Sequence, residues 1–203
     1  MARARPTVRT YDPRDSQAAA ALLYESTGGM YDRYAGSRRL AERTLSRALV
    51  WEGTSASADV VRVVEIDGRV AGAMAAMPFT EWTPRANAFL RVTLRSIPLW
   101  RWPAALWLYR ATGRAAPEPP AASFYVDSLA TAPPFRRRGV ARALLEDAER
   151  QAREHGLHAV ALDTWVDNRA ARALYERAGF SEVAHTSPAS GLPGGVSLVK
   201  QIG

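Results

Sequence analysis

The sequence contains no cysteine, which excludes disulfide bonds and every reaction that needs a protein thiolate. Long apolar runs are also missing, and none reaches the ~18 residues that a membrane span requires. The arginines near the N-terminus are not followed by an apolar segment, so no secretory signal is predicted. We therefore expect a cytoplasmic protein without a membrane partner.

Lysine is nearly absent, because Lys200 is the only one and arginine supplies the rest of the basic charge. The formal net charge is +7, which favours anionic partners such as nucleic acid or a phosphate-bearing small molecule. The arginines are scattered, however, and form no basic stripe interleaved with aromatic residues. Nucleic acid is therefore not predicted as a partner.

Several common catalytic and cofactor motifs are missing as well. The phosphate-binding pattern GxxxxGK[ST], the dinucleotide pattern GxGxxG and the nucleophile pattern GxSxG do not occur. His155 and His158 are three residues apart, but no third ligand is evident, so no metal site is expected. These absences remove the usual sequence support for ATP, NAD and serine-hydrolase chemistry.

The apolar patterns predict a single mixed α/β domain over residues 1–203. Asp67-Gly68 lies between two strand-like runs, which is a strong hairpin pattern. Ser123 to Thr131 and His158 to Trp165 are typical of strands, with an amphipathic helix between them. The predicted order is β-α-α-β-β-insertion-β-α-β-α-β-β, which is an α/β (α+β) arrangement around a mixed sheet.

Residues 80–122 predict a helical insertion that contains Trp100, Trp102 and Trp107. Three interpretations stay open for it. Its aromatic residues can pack on the domain or on a second subunit of a homodimer, or the insertion can be a lid over a substrate site. The third is a membrane-surface segment, which Arg101 and Pro103 disfavour because they interrupt the apolar face.

The turn "RRRG", from Arg136 to Gly139, joins a strand to a helix. The first N–H groups of a helix have no partner within it, and the helix dipole adds positive charge there. Glycine lets a ligand approach the backbone, and arginines add charged hydrogen-bond donors. The pattern predicts an anion site suited to a pyrophosphate, and the alternative is a solvated basic turn.

The segment "RRRGVA" matches the pattern [QR]-x-x-G-x-[GA] and resembles the coenzyme loop of the GNAT family of N-acetyltransferases. The resemblance continues through "FYVDSLAT" before the loop and "ALYERAGF" after it, and covers residues 123–183. It implies a GNAT-like fold in which this half binds acyl-coenzyme A. The first half of the chain matches the family only in the order of its elements.

The resemblance also implies roles for individual residues. The backbone of a splayed strand would pair with the pantetheine arm, and the turn amides would hold the pyrophosphate. Asn168 would contact the arm, and Tyr175 would lie near the thioester sulfur and protonate the leaving thiolate. The backbone residues are Leu129, Ala130 and Thr131 in the strand, and Arg136, Arg137, Arg138, Gly139, Val140 and Ala141 in the turn.

The candidates for the general base are chosen from where they lie along the predicted strands. Asp127 lies on the strand that reaches the reaction centre, and Glu81 is a second candidate near the end of the preceding strand. Either can instead be a solvated or paired carboxylate. In the same way Tyr175 can be a core residue at helical spacing, and Asn168 can be a helix cap.

The function expected from the resemblance is transfer of an acetyl group from acetyl-CoA to a primary amine, by direct attack of the amine on the thioester. The acceptor is a small molecule or a peptide that the sequence does not identify. The alternative is a non-catalytic domain of the same fold that binds or senses acyl-coenzyme A.

Overall fold

The computed structural model describes residues 5–189 and 191–203. Seven strands and seven α-helices are found in this part of the chain. The strands are β1 (Thr7–Thr10), β2 (Val61–Ile66), β3 (Arg69–Pro78), β4 (Phe124–Thr131), β5 (Ala159–Trp165), β6 (Ser181–His185) and β7 (Gly195–Gln201). The helices are α1 (Ser16–Ser26), α2 (Asp32–Ala35), α3 (Arg38–Val50), α4 (Phe79–Ser96), α5 (Trp102–Ala115), α6 (Val140–Glu154) and α7 (Arg169–Arg177).

The strands form one sheet in the order β1-β2-β3-β4-β5-β7-β6. Neighbours are antiparallel except β4 and β5, which run parallel and are joined through α6. The predicted mixed α/β class is confirmed. The predicted hairpin is also present, since Asp67 and Gly68 both adopt positive φ between β2 and β3.

Alternating residues of β2 and β3 divide the core between the two faces of the sheet. On one face Val61, Val63 and Ala73 pack with α1, α3 and α5. On the other face Val64 and Met74 pack with α6. This period-two alternation buries both faces, so the sheet is the middle layer of three.

The start of α6 lies directly against β3. A Cβ added at Gly72 would come within 2.4 Å of Val140 Cγ1, so the close approach requires a residue without a side chain. Val140, Leu144 and Leu145 are buried in the same contact. Glycine in β3 thus sets how closely the N-terminus of α6 approaches the sheet.

The insertion is helical, as predicted, and consists of α4 and α5 with a short 3-10 turn between them. Glu81 lies in the first turn of α4, not in the preceding strand, because β3 ends at Pro78. Its carboxylate is 2.9 Å from Arg85 Nη2. Glu81 thus lies three residues beyond the end of β3 and is ion-paired with Arg85, and its role as a general base stays a prediction.

Trp100, Trp102 and Trp107 of the insertion are not buried in the domain. Trp100 is 80% exposed and Trp107 46% exposed, while Trp102 lies at the helix start and donates to the Leu94 carbonyl at 2.9 Å. The interpretation in which they are covered by the domain is wrong. Within the described residues, no helix combines the length and apolar character needed to cross a membrane.

Candidate active site

Strands β4 and β5 pair only along their first halves. Their parallel pairing runs from Phe124–Val160 to Val126–Leu162. Beyond this point β4 stays paired with β3 as far as Thr131, whereas β5 stays paired with β7 as far as Trp165. The two strands therefore part in the middle of the sheet and leave a gap between them, which we call the parting.

A β-bulge lies at the start of the parting. Ala75 of β3 pairs with Ser128 and Ala76 pairs with Val126, so Asp127 is the extra residue on β4. A bulge locally bends a strand and re-aims its side chain. It thus contributes to the separation of β4 from β5 and presents the Asp127 carboxylate beside the gap.

Asp127 is surrounded by aromatic side chains. Trp82 Nε1 donates a hydrogen bond of 2.7 Å to Asp127 Oδ1, and the Ser128 hydroxyl is 3.3 Å from Oδ2. Burial raises the pKa of Asp127 to about 6, with a further rise from the neighbouring charge of Asp163, although the hydrogen bond from Trp82 opposes the change. Asp127 is therefore ionised at neutral pH and takes up a proton only slightly below it.

Asp163 is a second carboxylate at the parting, and the sequence analysis did not select it. It follows the last paired residue of β5, as Asp127 follows that of β4. The Tyr125 hydroxyl donates a hydrogen bond to Asp163, and burial raises the pKa of Asp163. The signal in the sequence is that both parallel strands carry an aspartate at the same position. Phe124 pairs with Val160, and Asp127 and Asp163 each follow three residues later.

The arginine turn adopts a tightly curled backbone. Arg137 and Gly139 both have positive φ, of 59° and 82°. No described side chain caps the start of α6. Arg136 and Arg137 are exposed, whereas Arg138 stacks on the Phe135 ring and lies 3.8 Å from Asp67. The start of α6 therefore has no side-chain cap from the described residues, and two exposed arginines precede it in the turn.

Asn168 caps the start of α7. This was one of the two roles predicted for it, and the other was a contact with the coenzyme arm. Its Oδ1 accepts from the Ala171 N–H at 3.2 Å, and its Nδ2 donates to Thr164 Oγ1 at 3.2 Å. Capping does not exclude a ligand, because the side chain also lines the cavity described below. A contact between Asn168 and a coenzyme stays a prediction.

Tyr175 is 8% exposed and packs with Phe180 in the core on the α6 face. Burial raises the pKa of Tyr175 to about 12, and the nearby charge of Asp163 adds to the rise. Its hydroxyl therefore stays protonated at neutral pH. Tyr175 thus belongs to the core cluster on the α6 face, whereas Asp127 and Asp163 line the cavity described below.

A cavity of about 620 Å³ opens beside the aspartates on the face covered by α4 and α5. Residues of α4, α5, the α1–α2 connection and the segment 116–119 form its walls. The insertion thus lines a cavity next to the parting, which agrees with the substrate-site interpretation. Another depression, between α7 and β6, lies apart from these groups and is lined by the ion-paired Arg172 and Glu182.

Residues 27–180 match the family model described as the acetyltransferase (GNAT) family. The chain belongs to the GNAT acetyltransferase family. Over 77 residues it is 31% identical to the uncharacterized N-acetyltransferase YycN of Bacillus subtilis, a match that covers 38% of this chain and 46% of that protein. The match therefore spans about half the length of that relative.

Solved structures of acetyltransferases share the GNAT fold with this chain. An N-acetyltransferase from Staphylococcus aureus Mu50 aligns with a TM-score of 0.75 over 95% of this chain and 99% of its own, at 19% identity. Another acetyltransferase aligns with a TM-score of 0.66 over 97% of this chain and 100% of its own, at 20% identity. At these identities the likeness establishes the fold.

In this GNAT protein the residues implied by the resemblance fall into two groups. The strand residues Leu129 to Thr131 lie on β4 beyond the end of its pairing with β5, and the turn that begins at Arg136 follows after a short 3-10 turn at Pro133–Phe135. Among the described residues, no group of three or more histidine, aspartate or glutamate side chains is arranged to hold a metal ion.

Replacing Asp127 with asparagine tests the electrostatics of the site. The folded-state pKa of about 6 lies above the unfolded value of ~3.9, so ionisation costs stability as the pH rises through this window. Asp127→Asn removes the charge but retains an acceptor for Trp82. At pH 8 the variant should be more stable than wild type by about 3 kcal/mol, and at pH 4 the difference should nearly vanish.

Urea unfolding at both pH values gives the comparison. Asp167→Asn is the matched control, because Asp167 is exposed in the same part of the fold and should show no such pH-dependent gain. Equal destabilisation of Asp127→Asn at both pH values would contradict a raised pKa at this carboxyl.

Proposed function

We propose that this GNAT protein transfers an acetyl group from acetyl-CoA to a primary amine. The observation that carries the proposal is the parting of β4 and β5, with the arginine turn at one end and two carboxylates beside it. The unpaired backbone can bind an extended arm, the turn can bind a pyrophosphate, and the carboxylates can bind an amine. These three chemistries correspond to the parts of the two substrates.

The turn has the properties that a pyrophosphate requires. Gly139 has positive φ, and a Cβ there would face open space, with only Pro6 at 3.9 Å. A side chain would fill this space, which lies against the first N–H groups of α6. The backbone amides from Arg136 to Ala141 would hold the pyrophosphate, and the Arg136 and Arg137 side chains would add charged donors.

The free edge of β4 supports the binding of the pantetheine arm. Backbone groups from Leu129 to Thr131 have no partner strand on the β5 side, since the pairing ends at Val126. An extended amide-containing chain can pair with such an edge. A Leu129 N–H aimed into the gap would also stabilise negative charge on the reacting carbonyl oxygen.

Asp127 is the proposed general base. Its pKa of about 6 keeps it ionised at neutral pH, so it can accept a proton from the attacking ammonium directly or through water. Bound acetyl-CoA supplies an activated acetyl thioester. The neutral amine formed when Asp127 takes the first proton would attack the thioester carbonyl. The C–S bond would then break, coenzyme A would leave as the thiolate, and the second amine proton would pass through water to that thiolate.

Tyr175 is the proposed donor to the leaving sulfur. Its phenol, with a pKa of about 12, is a weaker acid than a thiol, whose ordinary pKa is ~8.5. Tyr175 would therefore stabilise the departing thiolate mainly by donating a hydrogen bond. The Tyr175 hydroxyl stays protonated throughout the neutral pH range.

The alternative of a non-catalytic sensing domain was supported by the lack of a glutamate base in the strand that forms β4. Asp127 and Asp163 at the parting weaken that alternative, because a sensor of acyl-coenzyme A has no need for two partly buried carboxylates next to its ligand. Burying them costs free energy, which a functional site can justify more readily than a structural one.

Gly139→Val tests the coenzyme site. The valine side chain should occupy the pyrophosphate position, so calorimetric affinity for acetyl-CoA should fall at least 100-fold. Gly156→Val is the control for backbone strain, because Gly156 also has positive φ, lies at the other end of α6 and faces open space. Retained affinity in Gly139→Val would mean that the turn is not the phosphate site.

Tyr175→Phe tests the donor to the leaving group. Loss of its hydroxyl should lower kcat by about 10- to 100-fold while the affinity for acetyl-CoA changes little. Tyr11→Phe is a suitable control, since the Tyr11 hydroxyl is buried without a partner among the described residues. An unchanged kcat with a good acceptor would remove Tyr175 from the mechanism.

A further inference from the structure

The cavity beside the aspartates is elongated, because it follows α4 for three turns. The α4 residues that line it recur at helical spacing and are Phe79, Trp82, Thr83, Ala86, Phe89, Leu90 and Thr93. Trp82 and Thr93 are eleven residues apart, which corresponds to ~16 Å along a helix axis. A second stripe on α5, from Ala105 to Thr112, lies across from it. The cavity is therefore a channel between two helices.

The middle of this channel is apolar. Phe89 and Leu90 line it from α4, Leu108 from α5, and Met30 and Tyr31 from the α1–α2 connection. A ligand rich in hydroxyl or ammonium groups would lose hydrogen bonds to water along this length without replacing them. The walls therefore favour a ligand with an apolar body.

The inner end of the channel is acidic, in contrast with the protein as a whole. Asp127 and Asp163 line it there, and Trp82 and Tyr125 donate hydrogen bonds to them. Arg110 and Glu118 also line the cavity, but both are exposed and of opposite charge. A negative inner end in a chain of net charge +7 favours a cation.

The other end of the channel carries two buried hydroxyls. Those of Tyr34 and Thr93 lie near each other, yet neither forms a hydrogen bond of acceptable geometry with any described residue. A buried hydroxyl without a partner costs roughly 1–3 kcal/mol. The apolar stretch thus ends at the Tyr34 and Thr93 hydroxyls. A ligand that extends beyond them would bury no further apolar surface, so the stretch sets the length of apolar chain that the channel favours.

We propose that the acceptor is an elongated primary amine with one ammonium end and an apolar body. Its ammonium lies at Asp127 and Asp163, next to the parting, and its body extends along α4. This inference rests on the proposed acetyl transfer for the identity of the reaction, but it concerns binding and is testable by itself. Polyamines, aminoglycoside-like compounds and peptide N-termini are excluded as preferred acceptors.

A chain-length series measures the apolar channel directly. Calorimetric affinities of the protein are determined for ethylamine, butylamine, hexylamine and octylamine, with acetylated product followed by mass spectrometry when acetyl-CoA is added. Each buried methylene contributes ~0.8 kcal/mol, so affinity should rise by up to about fourfold per methylene until the channel is filled. 1-Octanol, without the charge, should bind at least tenfold more weakly than octylamine.

Two variants connect the series to the channel. Ala86→Leu adds apolar volume at a lining position, so octylamine should bind at least tenfold more weakly while ethylamine is unaffected. Ala88→Leu is the matched control on the same helix but outside the lining, and should bind both amines as wild type does. Asp163→Asn should weaken octylamine binding at least tenfold without changing the affinity for 1-octanol.

The outcomes separate this inference from the proposed reaction. Rising affinity along the series, with loss in Ala86→Leu or in Asp163→Asn, supports the channel even if no acetylated amine forms. A flat series, or tighter binding of spermidine or of a peptide with a free N-terminus than of octylamine, overturns it. Acetylation of those competitors would leave the proposed acetyl transfer intact while removing this acceptor.

Discussion

The separation of β4 from β5 is the constraint around which the rest of the molecule is organised. Two parallel strands in the middle of a sheet normally continue their pairing, because buried backbone groups without partners are costly. Here pairing ends after Val126 and Leu162, and each strand continues with its other neighbour. The bulge at Asp127 allows β4 to bend away from β5. The backbone edge of β4 beyond Val126 then has no strand beside it, so its N–H and C=O groups need another hydrogen-bonding partner.

The two faces of the sheet supply different chemistry to this gap. On the α6 face, Gly72 allows the helix start to lie close to β3, which brings the arginine turn to the end of β4. On the other face, α4 and α5 enclose a channel whose inner end is formed by Asp127 and Asp163. One substrate can therefore approach from each side, and the reaction would take place where they meet. The burial that raises the pKa of both carboxylates follows from this enclosed position.

The half of the chain with a continuous pattern was predictable from sequence. The strand, turn, helix and strand between Ser123 and Trp165 have clear periodicity, and the glycine after the arginines marks the start of α6. Asp127 was selected because it lies on the strand that was expected to reach the reaction centre. Asp163 lies at the corresponding position of β5, but its significance depends on the register of two strands, which a single sequence does not specify.

The remaining features depended on tertiary contacts. Glu81 was placed near the end of a strand, and the structure shows that β3 ends at Pro78 and that Glu81 lies in the first turn of α4. Pairing of Glu81 with Arg85 at helical spacing then keeps its carboxylate in a local ion pair. The role of the insertion was similarly open, since the sequence does not distinguish the residues of α4 and α5 that line the cavity from the exposed tryptophans Trp100 and Trp107. Only the packing of α4 and α5 distinguishes them.

Hydrogen exchange of the backbone, with and without acetyl-CoA, tests the central claim most directly. The claim is that the unpaired edge of β4 and the turn after it bind the coenzyme. Mass spectrometry of peptides that cover residues 127–131 and 136–141 should show slower exchange of both segments at saturating coenzyme, while β1 and β6 exchange as before. Saturable binding that protects neither segment would contradict the account.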